Sequence, residues 1–427
     1  MRWIANADFF KISPAQVGVK ALLTRRHVLR NLSARMALTA MLFPSAALPA
    51  ELREYVKLRM STTLRTDDNV FRLPSGASAT TASGATARGD VIKTVAGGVS
   101  AEIPISRQRL LLSYDINRFL YSKFTTLDFD AHDRRATLRW EVGRLATGSA
   151  GVAQSKSISD FATTLGRAAN VLTVTREFVN GSYPFHANWQ VNGGVSRAKS
   201  RNSEALNRVS NNDSSSVNGE VRYVTGNANY LGLQWTRSMV DFPNPLTSTG
   251  GTPVDNSYKQ QSVGVIAGYN VSGVSNMQGS LSRSIRDPAQ AGASNSTATT
   301  GSLSFNWLPT LMTTLSLYLA RDFAAPDNIT VTGSVADSIG LTAVLRPTST
   351  ISLRANAGWQ NRNYLFVPGL STARRNDTTT NQSVSVAYAA HERLMITLAA
   401  TNEHRGSDLP AAVYNTRGVS LAMELNF

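Results

Sequence analysis

The sequence predicts an all-β fold, a transmembrane antiparallel up-and-down β-barrel of about eighteen strands, with sixteen as the lower alternative. Three observations predict it. From about Tyr55 onward the chain breaks into segments of roughly ten residues with period-2 alternation, the length a tilted strand needs to cross a bilayer. Short turns and long polar loops alternate between these segments. In the last stretch, Val419, Leu421, Met423, Leu425 and Phe427 alternate with Ser420, Ala422, Glu424 and Asn426, so one side of the strand is apolar and the other small or polar. An apolar strand of this kind is an aggregation hazard unless its edge is paired, and closure onto the first strand removes the edge. Residues 414–427 are therefore expected to pair antiparallel with residues 55–66.

Composition narrows the class further. The chain is 42% hydrophobic with a mean hydropathy of -0.15, and no run reaches the roughly 20 apolar residues of a membrane helix. A barrel keeps such an average because only alternate residues meet lipid. There is no Cys, which removes disulfides and thiolate chemistry and suits a chain that crosses the periplasm unfolded.

Residues 1–50 read as a cleaved signal peptide with a long basic n-region. Seven Lys and Arg stand there against Asp8 alone, followed by an apolar run ending in small residues, with cleavage expected after Ala47 or Ala50. The Arg25-Arg26 pair looks like a twin-arginine signal, but that route carries folded cargo and is set aside as a chance match. Residues 51–427 form one barrel domain. Taking the seven basic and one acidic residues from 43 and 28 leaves 36 and 27, a net charge of +9.

Along the chain, Ala136, Leu138, Trp140 and Val142 alternate with polar residues, and so do Val217, Val221 and Tyr223. Leu303, Phe305 and Trp307 repeat the pattern, as do Ile351, Leu353 and Trp359. Segments near 145–156 and 170–181 are poorly patterned, which leaves sixteen strands open. Short links near 104–107, 143, 183–185, 225–227, 272–275, 308–310, 346–349 and 391–393 separate loops rich in Asn, Ser, Thr, Gly and Asp. One end of the barrel then faces the periplasm, with both termini, and the other faces outside.

Trp140, Trp189, Trp235, Trp307 and Trp359 fall on the outward side and with Phe427 read as an aromatic girdle, the alternative being ordinary core aromatics. Arg197, Arg237, Arg283 and Arg321 also fall outward, near the loop-ward ends of their strands. An Arg at mid-bilayer costs roughly 2 to 4 kcal/mol and one near the interface little. They are expected to contact lipopolysaccharide phosphates, against the alternative of bulges or loops that begin earlier.

Lumen-facing positions read Lys57, Arg59, Arg65, Arg109, Arg135, Arg139, Arg222, Arg354 and Arg362 against Glu102, Asp115, Glu141, Glu220, Asp322 and Glu424, a mixed but net basic lining. A barrel of this size leaves an aqueous channel unless something fills it. Net basic charge would concentrate anions there, including an anionic polysaccharide. Alternatively the charges brace neighbouring strands. The Gly, Ala, Ser and Thr tract from Ser75 to Arg88 is expected either to fold inward as a constriction or to be disordered.

The chemistry of an enzyme is missing. His132, His186, His391 and His404 are scattered over loops and turns without Ser or Asp partners at catalytic spacing, and no phosphate loop or metal-ligand cluster is present. No enzyme activity, cofactor, metal or nucleic-acid partner is expected.

The terminal strand ending in Phe427 resembles the closing strand of bacterial outer-membrane β-barrel proteins, a pattern read there by the insertion machinery. The stretch Asp67-Asp68-Asn69-Val70-Phe71-Arg72-Leu73 resembles a segment at the same place in outer-membrane proteins of exopolysaccharide biosynthesis operons, the EpsL type. The resemblance implies an outer-membrane barrel that takes part in making or exporting an extracellular polysaccharide, with export proteins as partners. It transfers no catalytic residues. Read on its own residues, Asp67 and Asp68 can cap a turn while Phe71 and Leu73 anchor the first loop on the rim. The expectation is thus a conduit for an anionic polysaccharide. The alternatives are a general diffusion porin for small anionic solutes and a structural or adhesive barrel.

Overall fold

A computed structural model describes residues 55–75, 87–143, 145–162, 168–247, 253–290, 294–324, 331–366 and 375–427. The expected signal peptide, most of the Ser75 to Arg88 tract and residues 367–374 lie outside the described residues. Alternation along every segment is met here by one sheet that closes on itself, with the apolar side of each strand outward and the polar side toward the lumen. The strands are β1 (Val56–Asp67), β2 (Asp90–Ile105), β3 (Gln108–Tyr121), β4 (Phe129–Val142), β5 (Ala146–Ile158) and β6 (Val171–Pro184). They continue as β7 (Trp189–Asn202), β8 (Asn212–Val224), β9 (Tyr230–Asp241), β10 (Tyr258–Ser272), β11 (Ser275–Pro288) and β12 (Ser296–Thr310). The last are β13 (Thr313–Ala324), β14 (Val331–Leu345), β15 (Ile351–Phe366), β16 (Asn376–His391), β17 (Leu394–Ser407) and β18 (Tyr414–Asn426).

All eighteen belong to one antiparallel sheet in which each strand pairs with its sequence neighbours. The sheet closes where β1 meets β18, in register from Arg59 opposite Asn426 to Asp67 opposite Gly418. Phe427 extends this seam through a reciprocal pair of backbone hydrogen bonds with Leu58. Eight short turns join the strands at one end and long loops at the other. Among the described residues no helix is long and apolar enough to cross a membrane.

The alternation makes the outer wall apolar. Leu231, Leu233, Val263, Leu281, Val384 and Leu398 are each more than half exposed, or 64%, 66%, 53%, 58%, 59% and 52%. A belt of such residues around the whole wall is unsuited to water and suited to lipid.

The sixteen-strand alternative fails because the two poorly patterned segments are strands β5 and β6. Their alternation is weak for a packing reason. Trp140 on β4 lies over Gly148 of β5 and Gly181 of β6, and a Cβ at Gly148 would come 2.2 Å from its ring. That outer surface is covered by a neighbour's indole rather than by side chains of β5. On β6, Phe178 pairs opposite Gly151 and Ser196 on the inner side and is fully buried, which reverses the expected polarity there. His132 and His404, expected on loops or turns, lie on β4 and β17.

Candidate functional site

The register decides which side of the wall each residue occupies, since residues directly opposite one another across antiparallel strands share a face. Starting from the polar side of β18 and following the pairings around, Lys57, Arg59, Arg65, Arg109, Arg135, Arg139, Arg222, Arg354 and Arg362 all fall on the inner face. So do Glu102, Asp115, Glu141, Glu220, Asp322 and Glu424. The same pairings bring Asp67, Asp90, Asp133, Asp377 and Glu403 inside, with Arg176, Arg286 and Arg405. The lining is therefore closer to charge balance than alternation alone suggested. The added carboxylates stand near strand ends or within mixed-charge runs, where polarity gives no clue to side.

Several inner charges are paired. Arg59 reaches Asp115 at 2.7 Å and Glu424 at 3.8 Å, which ties β1 to both β3 and β18. Arg109 pairs with Glu102 at 3.0 Å, and Arg222 pairs with Glu220 while its guanidinium lies 4.4 Å from the Tyr230 ring centre. Arg362 donates to Gln360 at 3.3 Å. Lys57, Arg135, Arg139 and Arg354 form no ion pair among the described residues. Arg109 and Arg139 stand directly opposite one another across β3 and β4, as do Asp115 and Asp133. Like charges in that position weaken a sheet.

At the long-loop end the lumen is crowded by the first and third long loops. Asp67 is the hub. Its buried carboxylate accepts from Arg65 at 2.9 Å, from Arg72 at 3.1 Å, from the Thr416 hydroxyl at 2.9 Å and from the Asn69 backbone N–H at 3.0 Å. Asn69 fixes the turn from inside: its side chain accepts from the Leu73 N–H at 2.8 Å and donates to the carbonyls of Leu73 and Asn415, both at 2.9 Å. Asp68 accepts from the Arg417 N–H at 2.7 Å. Arg72 takes a left-handed backbone, φ 53°, which its two anchors compensate. Burial disfavours the Arg72 charge, but Asp67 and then Asp160 outweigh it and hold the guanidinium above its ordinary range.

Val70, Phe71 and Leu73 are buried with Ile92, Tyr121, Phe124 and Leu127. The Phe71 ring meets Phe124 at 4.8 Å and Phe161 of the third long loop at 4.9 Å, edge to face. That loop is held from the far side too, because Arg405 on β17 donates to the Ala162 carbonyl at 3.2 Å. Arg405 and Arg375 in turn share Asp377. Below this bridge lies a cavity of roughly 440 Å³ lined in part by Arg65, Arg72, Asn356, Asn381 and Glu403.

Trp140, Trp189, Trp235, Trp307 and Trp359 occupy the outer face. Trp140, Trp189 and Trp307 lie within three residues of the short-turn end of their strands, and Trp189 meets Tyr223 edge to face at 5.4 Å. Trp235 and Trp359 sit in the interior of β9 and β15 instead. Arg197, Arg237, Arg283 and Arg321 are outward as well. Among the described residues no group of three or more His, Asp or Glu could hold a metal ion. Sequence reasoning missed the Asp377, Arg375 and Arg405 cluster, because Arg405 lies 28 residues from Asp377 and meets it only across β16 and β17.

Comparison with known proteins agrees with this architecture. A family model described as "Putative beta-barrel porin 2" matches residues 263–427, from within β10 to the last strand. No curated protein matches the sequence. Similar solved structures include OccK2 (OpdF) of Pseudomonas aeruginosa, 12% identical with a TM-score of 0.49, covering 88% of this chain and 99% of that one. OccAB3 of Acinetobacter baumannii is 10% identical with a TM-score of 0.47, covering 87% and 98%. The siderophore receptor PirA of Pseudomonas aeruginosa is 12% identical with a TM-score of 0.42, covering 87% and 80%. Likeness at this level says nothing about solutes. The closed eighteen-strand barrel with its apolar belt has the architecture of an outer-membrane barrel, and residues 263–427 of it are similar to that porin family.

Proposed function

We propose that the protein is a passive channel for small anionic solutes, narrowed at its long-loop end by the first and third long loops. The observation that carries this reading is the set Lys57, Arg135, Arg139 and Arg354, inward-facing and without ion pairs among the described residues. Asp133 and Asp322 stand against them, so the preference for anions is a modest one. Bracing alone accounts poorly for Arg109 directly opposite Arg139, because a bracing pair would have opposite signs. In a pore with low-dielectric walls, cations without partners raise the local concentration of anions. The reading places the termini and short turns in the periplasm and the long loops outside. It has residues 1–50 direct export and the insertion machinery read the final strand.

The test is the reversal potential of the purified barrel in a planar bilayer under a KCl gradient. Anion-over-cation permeability supports the reading, and a cation-selective pore overturns it. A barrel that conducts nothing would favour a structural or adhesive role.

A second reading, participation in exopolysaccharide export, has one observation in its favour. The heptapeptide Asp67 to Leu73 that resembles proteins of that kind forms the buried bridge over the lumen. Gene deletion separates the two. Unchanged polysaccharide secretion with reduced small-solute uptake would dismiss the second reading.

A further inference from the structure

The positive charge of the strands is concentrated on the outside of the barrel. With the inner charges near balance, outward-facing Lys and Arg number about twice the outward Asp and Glu. Their height is restricted. Every outward charged residue of the described strands lies within six residues of the long-loop end, and the wall below is apolar.

The excess is greatest on β7, and the deepest outward cations without an ion pair lie on β7, β9 and β11. Arg197, Arg237 and Arg283 lie five, four and five residues short of the loop ends of their strands, so they form a row at one level on alternate strands. Lys199 adds a fourth cation two residues above Arg197. Ser215 stands opposite Arg197, Gln261 opposite Arg237 and Thr299 opposite Arg283, all uncharged, while Lys199 stands opposite Asp213. Glu177 is opposite Arg197 on its other side, yet no carboxylate comes within ion-pair distance of Arg197, Lys199, Arg237 or Arg283 among the described residues. Arg283 spends two donors on the hydroxyls of Thr297 and Thr299, which splays its guanidinium along the wall. Between the Arg strands stand Val217 and Val263, and immediately below the row come Val195, Trp235 and Leu281.

We propose that this row is a binding surface for the phosphates of a phosphorylated glycolipid of the surrounding leaflet, lipid A of lipopolysaccharide, with Arg197, Lys199, Arg237 and Arg283 as donors. The chemistry fits at each level. Guanidinium forks match phosphate oxygens, the polar flanks leave them accessible, and the apolar wall beneath receives acyl chains. A soluble anion would gain nothing from the apolar wall. The surface is separate from the pore and stands whether or not the channel reading does.

The experiment uses the full barrel refolded free of lipopolysaccharide in detergent, with native mass spectrometry and fluorescent bisphosphorylated lipid A as readouts. Wild-type protein is expected to bind that lipid at least tenfold more tightly than dephosphorylated lipid A, with millimolar inorganic phosphate failing to compete. The combined substitution Arg197→Gln, Arg237→Gln and Arg283→Gln is expected to remove most of that preference while conductance stays unchanged, and the corresponding Arg→Lys variant to retain part of it. Equal binding of the two lipids by wild-type protein overturns the proposal, whatever the fate of the variants. Unaltered binding by a folded Gln variant does so as well, and full competition by inorganic phosphate shows a free-anion site instead.

Discussion

Asp67, the last residue of β1, accepts a hydrogen bond at 2.9 Å from the hydroxyl of Thr416 on β18, across 349 residues of sequence. The bond lies at the seam where the sheet closes, and the same carboxylate holds Arg72 at 3.1 Å and so carries the first long loop. Barrel closure and the shape of the mouth therefore share one residue. Asp67→Asn would keep the size but leave the buried Arg72 guanidinium without its main counter-charge, a loss of about 3 to 5 kcal/mol by the usual cost of breaking a buried pair. The expected result is a lower urea or thermal midpoint for the shift between folded and unfolded migration on gels. Asp68→Asn keeps a carbonyl oxygen for the Arg417 N–H and should stay within about 1 kcal/mol. Equal midpoints for the two variants would refute the hub role of Asp67.

The contact of Trp140 with the small residues beside it gives a second expectation. A Cβ at Gly148 meets both the indole at 2.2 Å and the Asn180 carbonyl at 2.1 Å, whereas a Cβ at Gly219 on the outer face of β8 meets nothing within 4 Å. Gly148→Ala should therefore destabilise by roughly 1 to 3 kcal/mol through overpacking. Gly219→Ala should be neutral or slightly stabilising. Trp fluorescence during unfolding checks both, and a neutral Gly148→Ala would show that the indole does not occupy that surface.

Selectivity should depend on salt in a defined way. Arg354→Gln removes an inner cation with no ion pair among the described residues, while Arg59→Gln frees Asp115 and Glu424 as well. Both lower anion preference, Arg59→Gln more, because it also exposes carboxylates. At 0.1 M salt, where screening extends over about 10 Å, the changes should be clear, and at 1 M, with about 3 Å, they should nearly vanish. Reversal potentials at the two concentrations decide it. A shift of the same size at 1 M would point to a change in pore shape instead.

Phe71 joins the first long loop to the third through edge contacts with Phe124 and Phe161. Phe71→Ala should weaken the mouth by about 3 to 5 kcal/mol, the usual cost of truncating a buried aromatic. Single-channel conductance should rise and limited proteolysis should cut the loops faster, with the β-content of the barrel unchanged. Unaltered conductance would mean that these loops do not restrict flow.

Much of the wall was legible in the residues themselves. Period-2 alternation is a local property, so Leu353 and Trp359 declared one side and Arg354 and Arg362 the other without reference to any other strand. Inward placement of nine basic residues and outward placement of four follow from that parity, and the pairing of Val419 to Leu425 with β1 follows from the need to cover an apolar edge. The same rule failed where a neighbour supplies the packing: Gly148 is small because Trp140 covers it, and Phe178 points inward because Gly151 and Ser196 leave room. What a strand buries against is not written in that strand.

By itself, then, the sequence determined the strand number to within two, the side of the clearly alternating wall residues and the alternation of short turns with long loops, because each depends on neighbours along the chain. Only the tertiary structure decided what the mouth is made of and where the charge lies. Asp67 to Leu73 could be read as a turn with two anchors. That it reaches Thr416 and packs Phe71 on Phe161 depends on residues distant in sequence, brought together by barrel closure. The near balance inside and the excess of cations outside likewise appear only when every strand is placed in register, since a net charge of +9 has no side until the wall has one.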